Sequence, residues 1–348
     1  MGELASYRLR KLLTVSFASA LVSGVTTPFF FGFKLIPLVN GAIIGFFSAL
    51  LILALRDFVL DPAASLWSVG RSFLVGFGSY SVVIVGVAVV SFKATGADKI
   101  FSPLRLYPYS LGFGMTFSLL ANAVLVVSDI VGRQELAELL LGRYHRPASE
   151  HRVFLFMDLM GSTALAERLG NARYLEFLNE AYADLSEAII LTRAQIYKYV
   201  GDEIILTWKA APGDASSAVR FFRAAQESLK SRGTAYLSRY GTVPRFRAGC
   251  HKGDVVTGQL GLLKKEITFI GDVMNTASRI MDEAKRLGYE LVLSEAVYEE
   301  LDPVNAREGV PLGETALRGK SRAVRLFGFY PRENLMETRE SSSRDYEE

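Results

Sequence analysis

The chain has 348 residues, half of them hydrophobic, with a formal net charge of +3 and a single cysteine. That length allows two domains, and so small a charge offers no polyanion-binding surface, so nucleic acid is not an expected partner. Cys250 alone excludes an intrachain disulfide framework; beside His251 in a strand it reads as a packed core thiol in a reducing compartment rather than a zinc ligand.

Mean hydropathy is +0.24, high for a soluble protein, and the excess lies in the first 130 residues. Four uncharged stretches, 12–33, 35–55, 72–92 and 106–128, each supply about the twenty residues that cross a hydrocarbon core as a helix. None carries the polar stripe of a buried soluble helix. The expectation is an all-α transmembrane domain of four helices over 1–130, the first two forming a hairpin with a tight turn near Lys34. Arg8, Arg10, Lys11, Arg56, Arg71, Arg133 and Arg143 fall on one side of such a bundle, against Lys93, Lys99 and Arg105 on the other. The basic excess places both termini in the cytoplasm of a plasma-membrane protein. Ala18-Ser19-Ala20 resembles a signal-peptide cleavage site, but the apolar run continues past it and three more spans follow. The loop 57–70, with Trp67, reads either as a headgroup-level segment or as an ordinary turn. Asn40 and Asn122 are the strongly polar side chains within the spans; interhelical hydrogen bonding explains them more simply than ligand sensing.

From Asp129 to Tyr144 the fourth helix is expected to continue, with Leu136, Leu139 and Leu140 as a seam. Two heptads leave a parallel dimer helix and an amphipathic linker equally open. Pro147 ends this 131–149 linker. The strand at 152–157 then opens a soluble domain, 150–331. Helices follow at 162–169 and 174–192, then a β-hairpin (195–200 and 203–208) around Gly201-Asp202, and a helix at 215–231. Strands at 245–256 and 266–270, a helix at 276–287, and short strands at 291–293 and 324–329 complete it. The β-α-β-β-α-β order is a ferredoxin-like α+β arrangement. The polar tail, 332–348, reads as disordered.

Two pieces carry the chemistry. Phe156-Met157-Asp158-Leu159-Met160-Gly161-Ser162-Thr163 and Tyr197-Lys198-Tyr199-Val200-Gly201-Asp202-Glu203 each end a run of β-formers with an aspartate beside a glycine turn. Such a pair can present two carboxylates to two hard cations, although either aspartate alone reads as a cap or turn residue. Gly161, Ser162 and Thr163 open a helix whose N–H groups suit phosphate. Asn275 and Arg279, four apart, share a helix face.

In this order the motifs resemble the catalytic domain of class III nucleotidyl cyclases over roughly 150–330. The resemblance implies that Asp158 and Asp202, with Leu159, hold two Mg2+ or Mn2+ ions per active site. It implies that Asn275 orients the ribose and that Arg279 meets the α-phosphate. Lys198 would read the purine, lysine accompanying adenine in the family, with Thr268 where aspartate is frequent. That lysine–threonine pair resembles the subgroup that includes bicarbonate-responsive members. Arg318, with Lys320 as a substitute, matches a basic residue for the terminal phosphates; surface solubility is the alternative for both. The family divides each site between two subunits, and both halves are present here, which implies a homodimer. The resulting expectation is a membrane adenylyl cyclase acting on ATP. A guanylyl cyclase on the same scaffold, or a non-catalytic receptor with a decayed cyclase domain, are the alternatives. The Gly-Gly-Asp/Glu-Glu-Phe hairpin of diguanylate cyclases is absent.

Overall fold

The computed structural model describes residues 3–31, 35–60, 67–97, 103–210, 214–263, 265–318, 320 and 322–331. The chain separates into two compact units, Met1–Leu140 and Leu141–Glu348.

The first unit is helical: α1 (Glu3–Phe31), α2 (Leu35–Leu55) continuing as a π-helical turn (Arg56–Leu60), α3 (Val69–Thr95), α4 (Pro103–Val131) and α5 (Arg133–Leu140). Among the described residues three stretches, Leu9–Phe29, Leu35–Leu60 and Val69–Thr95, are long and apolar enough to cross a membrane. The fourth expected span lies in α4, whose described residues give an apolar stretch over Gly114–Ser128. Small residues set the α1–α2 approach: a Cβ at Gly41 would fall 2.8 Å from Thr27 Cβ, and one at Gly45 would fall 2.7 Å from Ser23 Oγ. Asn40 donates to Thr95 Oγ1 at 2.7 Å and accepts from Ser91 Oγ at 2.6 Å. Asn122 donates to the Phe73 carbonyl at 2.7 Å. Both asparagines therefore join helices. The turn near Lys34 lies outside the described residues, as does the tail 332–348.

The linker departs from expectation. Instead of one helix running to Pro147, Gly132 (φ 99°) separates α4 from α5, and the helix stops at Leu140. Gly142 (φ 66°) and Tyr144 (φ 63°) turn the chain before Pro147 is reached.

The second unit is built on β1 (Ala148–Leu159), α6 (Ser162–Leu169), α7 (Asn171–Thr192), β2 (Gln195–Val200) and β3 (Glu203–Lys209). It continues through α8 (Asp214–Ser231), α9 (Gly233–Tyr240), β4 (Phe246–Leu260), β5 (Glu266–Ile270), α10 (Asp272–Leu287) and β6 (Tyr289–Ser294). The short α11 (Glu295–Tyr298) and α12 (Pro303–Ala306) precede β7 (Val310–Thr315) and β8 (Val324–Pro331). Strand order is β2-β3-β1-β4-β6-β8-β7, with β5 paired to β4. The β2-β3-β1-β4 portion is antiparallel throughout, which is the ferredoxin-like order. The sequence reading missed α9, α11, α12 and β7.

Alternation along β1 explains its uninterrupted apolar run. Val153, Leu155, Met157 and Leu159 enter the larger core with α7 and α8, while Phe154 and Phe156 enter a second core under α10. Both faces are covered, so polar alternation is absent where it would otherwise mark a strand. On β4, Ala248 and Cys250 join the larger core. Gly249 between them faces α10, where a Cβ would lie 2.6 Å from the Ala277 carbonyl oxygen.

Candidate active site

Asp158 is the penultimate residue of β1, at the mouth of the strand. The antiparallel registers set it opposite Glu203 on β3 and opposite Arg247 on β4. Asp202 follows Gly201, whose φ of 64° makes the tight turn between β2 and β3. The Leu159 N–H donates to the Asp202 carbonyl at 3.3 Å, tying this turn to the end of β1. The Asp158 and Asp202 carboxylates stand together. Leu159 buries its side chain in the core, so only its main chain is available to a ligand.

The electrostatics of this corner are strongly negative. Burial raises the proton affinity of Asp158, and neighbouring Asp202 adds to it, against an ion pair with Arg247. Burial, then the charges of Asp158, Asp282 and Asp202, push Glu203 up to about 7. Tyr174 is pushed up to about 12 by burial and by Asp202. Tyr182 is raised by the same two causes, and its hydroxyl has no partner among the described residues. Crowded hard oxygens with unbalanced charge are a donor set for Mg2+ or Mn2+. Among the described residues no three His, Cys, Asp or Glu side chains converge as a metal site, so main-chain or substrate oxygens would complete the coordination.

Directly after β1, Gly161 takes φ 72° and precedes α6 with no side-chain cap. The first-turn N–H groups of Ser162 and Thr163 are left for an anion. Arg168, Pro244 and Arg245 line an open groove beside this turn, about 480 Å³ in volume.

Lys198 on β2 and Thr268 on β5 belong to a different group, joined through their neighbours. Tyr197 Oη and Thr268 Oγ1 lie 3.1 Å apart, and Lys198 Nζ donates to Glu266 at 3.3 Å. No hydrogen bond or ion pair among the described residues joins this group to Asp158 or Asp202. Asn275 and Arg279 lie on α10, whose Val273, Ala277 and Met281 face the second core. Asn275 is exposed and Arg279 half-buried; neither has a hydrogen-bond or ion-pair partner among the described residues. Arg318 is exposed and likewise without a partner, whereas Lys320 is engaged by Asp272 at the start of α10. The residues thus form separate groups on one chain.

Arg247, Glu203, Tyr174 and Tyr182 were not singled out by the sequence. Arg247 becomes visible only once the β1–β4 register is known, because 89 residues separate it from Asp158.

The model for the adenylate and guanylate cyclase catalytic domain matches residues 146–328, just over half of the chain. Adenylate cyclase 2 of Rhizobium meliloti (strain 1021) is 34% identical over 58% of this chain and 56% of its own length. Retinal guanylyl cyclase 2 of Mus musculus is 31% identical over 47% of this chain and 15% of its own length. The chain therefore spans little more than half of the first relative and a small part of the second. A bacterial light-regulated adenylyl cyclase has the same fold, with a TM-score of 0.55 at 16% identity over 64% of this chain and 66% of that one.

Proposed function

Because the chain belongs to the family of adenylate and guanylate cyclase catalytic domains, we propose that it converts ATP to 3′,5′-cyclic AMP and pyrophosphate. In this reading it is a membrane-embedded homodimer, catalysis resides in 150–331, and that unit lies in the cytoplasm, where ATP is. The observation that carries the reading is the paired Asp158–Asp202 corner next to an uncapped helix N-terminus, with Asn275 and Arg279, unpartnered among the described residues, placed elsewhere on the same chain.

The reaction forms a bond from the ribose 3′-oxygen to the α-phosphorus and breaks the bond to the bridging oxygen of pyrophosphate, releasing the hydroxyl proton. Two divalent cations held by Asp158, Asp202 and the Leu159 main chain would supply charge neutralisation and acidify the 3′-hydroxyl. Gly161, Ser162 and Thr163 donate main-chain N–H groups to phosphate oxygens. Arg279 places a planar, permanently charged fork where negative charge accumulates, and Asn275, one turn before it, orients the ribose. Arg318 receives the terminal phosphates. Lys320 is a weaker candidate, since Asp272 already holds it. Lys198 donates to adenine ring nitrogens beside Thr268. In a symmetric dimer the Asp158–Asp202 group of one protomer faces the Lys198, Asn275 and Arg279 group of its partner, so two complete sites form.

The test is cyclisation by purified full-length protein with Mn2+ and either ATP or GTP. Faster turnover of ATP supports the reading. Faster turnover of GTP replaces it with the guanylyl cyclase alternative, and turnover of neither removes the enzyme.

A further inference from the structure

Among the described residues, the largest fully buried side chain is an arginine. Arg152, on β1, is 1% exposed and far along the strand from Asp158. Its Nε donates to Glu150 Oε2 at 2.6 Å and its Nη1 to Gln195 Oε1 at 3.0 Å, and its guanidinium lies 4.6 Å from the centre of the Phe269 ring. A buried cation persists only when its surroundings hold it from several sides. Here they do so from two strands that share no ladder: Gln195 is on β2, which pairs with β3, and Phe269 is on β5, which pairs with β4.

Those two strands carry Lys198 and Thr268. Gln195 lies three residues before Lys198, and Phe269 follows Thr268 directly. The Tyr197 ring packs edge-on against Phe269 at 4.9 Å while its hydroxyl meets Thr268. The exposed Lys198–Glu266 pair adds a weak link nearer solvent. Arg152 adds a buried polar one.

Arg152 is held in turn by the segment ahead of β1. Tyr144, 7% exposed in a left-handed conformation, donates to Glu150 Oε1 at 2.6 Å, and its hydroxyl stands 3.5 Å from Arg152 Nη2. Its carbonyl accepts from the Gln259 N–H on β4 at 3.2 Å. Burial alone would raise the Glu150 carboxyl, but the Tyr144 and Arg152 hydrogen bonds outweigh it and hold the group below its usual range.

We infer that Arg152 is a positioning residue that fixes the spacing between Lys198 and Thr268, and that Tyr144 sets Arg152, so that purine affinity and the choice between ATP and GTP depend on a hydroxyl outside the site. The inference rests on the assignment of Lys198 and Thr268 to the base.

Tyr144→Phe tests it, because the ring keeps its packing and only the hydroxyl is lost. Full-length Tyr144→Phe should raise KM for ATP about five-fold and shift the ATP-to-GTP ratio of kcat/KM about three-fold, with kcat within about two-fold of wild type. Arg152→Lys, which keeps the charge but loses the planar fork, should shift the ratio in the same direction and further. Leu229→Val, a core change remote from both strands, should lower the melting temperature and leave KM and the ratio unchanged. Unchanged KM and ratio in an active Tyr144→Phe enzyme would overturn the inference and leave the proposed function standing. So would a KM rise that Leu229→Val reproduces. A wild-type chain that cyclises neither nucleotide removes the function and this inference together.

Discussion

Gly249→Ala is the most revealing single methyl in the molecule. Gly249 sits on β4 where α10 crosses the sheet, and its backbone is one that any residue adopts. A Cβ there would lie 2.6 Å from both the Ala277 carbonyl oxygen and Met281 Cα, and closer still to the Met281 nitrogen. All three are main-chain atoms of α10, so no side-chain rotation relieves the clash. Restoring an ordinary 3.4 Å contact to the Met281 nitrogen moves the helix off the sheet by about 1.3 Å, an overpacking cost of about 1–3 kcal/mol. For a unit of this size that lowers the melting temperature by roughly 3–10 °C. Because α10 carries Asn275 and Arg279, the same displacement should reduce kcat by one to two orders of magnitude, about what a 1 Å misplacement costs a positioned group. Gly233→Ala, where a Cβ meets only Val243 at 3.6 Å, serves as the control. The assay is kcat with ATP and Mn2+ beside a thermal melt. A variant that melts lower but keeps wild-type kcat would show that α10 does not carry transition-state groups. A variant unchanged in both would refute the seating of α10 on β4.

Asp158→Ala and Asp202→Ala should each fold yet lose about a thousand-fold or more in kcat, the scale of a lost metal ligand; more than a tenth of wild-type activity in either would reject the carboxylate pair. Asp202→Ala and Asn275→Ala chains, each inactive alone, should recover about a quarter of wild-type activity when co-expressed in equal amounts. Half the dimers are then mixed and each has one intact site, so no recovery despite demonstrated mixed dimers would place the whole site within one protomer. Glu203 prefers its proton in the folded state, so without metal, stability should fall as pH rises from the unfolded value near 4.5 to about 7, then level off. Glu203→Gln should flatten that slope and raise the melting temperature at pH 8 in EDTA; an unchanged slope would assign it to another group.

The catalytic fold was legible because its central elements are locally consistent. The α6 helix, β2 and β5 fall on the expected residues, and both site aspartates sit where a β-run meets a glycine. What escaped depends on long-range partners. The β7 strand, Val310–Thr315, contains Pro311 and Gly313 and pairs irregularly at a sheet edge, so no period-2 signal survives. The short α12 is announced only by Asp302 capping Val304 and Asn305 across a proline. Arg247 and Arg152 were invisible as functional groups because an arginine within a strand declares nothing until its cross-strand neighbours are known. The linker failed for a local reason: the leucine spacing suggested one helix, while Gly132 and Gly142 divide it.

The sheet distributes its two ends unequally. Asp158 stands on β1, a strand packed on both faces and flanked by neighbours on both edges, so almost any rearrangement there disturbs the core. Lys198 stands on β2, the outermost strand on that side, with its side chain toward solvent, and Thr268 on the spur formed by β5. An exchange at Lys198 costs the fold little, since an exposed substitution stays within about 0.5 kcal/mol. With the roles proposed for Lys198 and Asp158, a lineage built on this sheet could change which base it accepts while the proposed bond-making corner stays frozen.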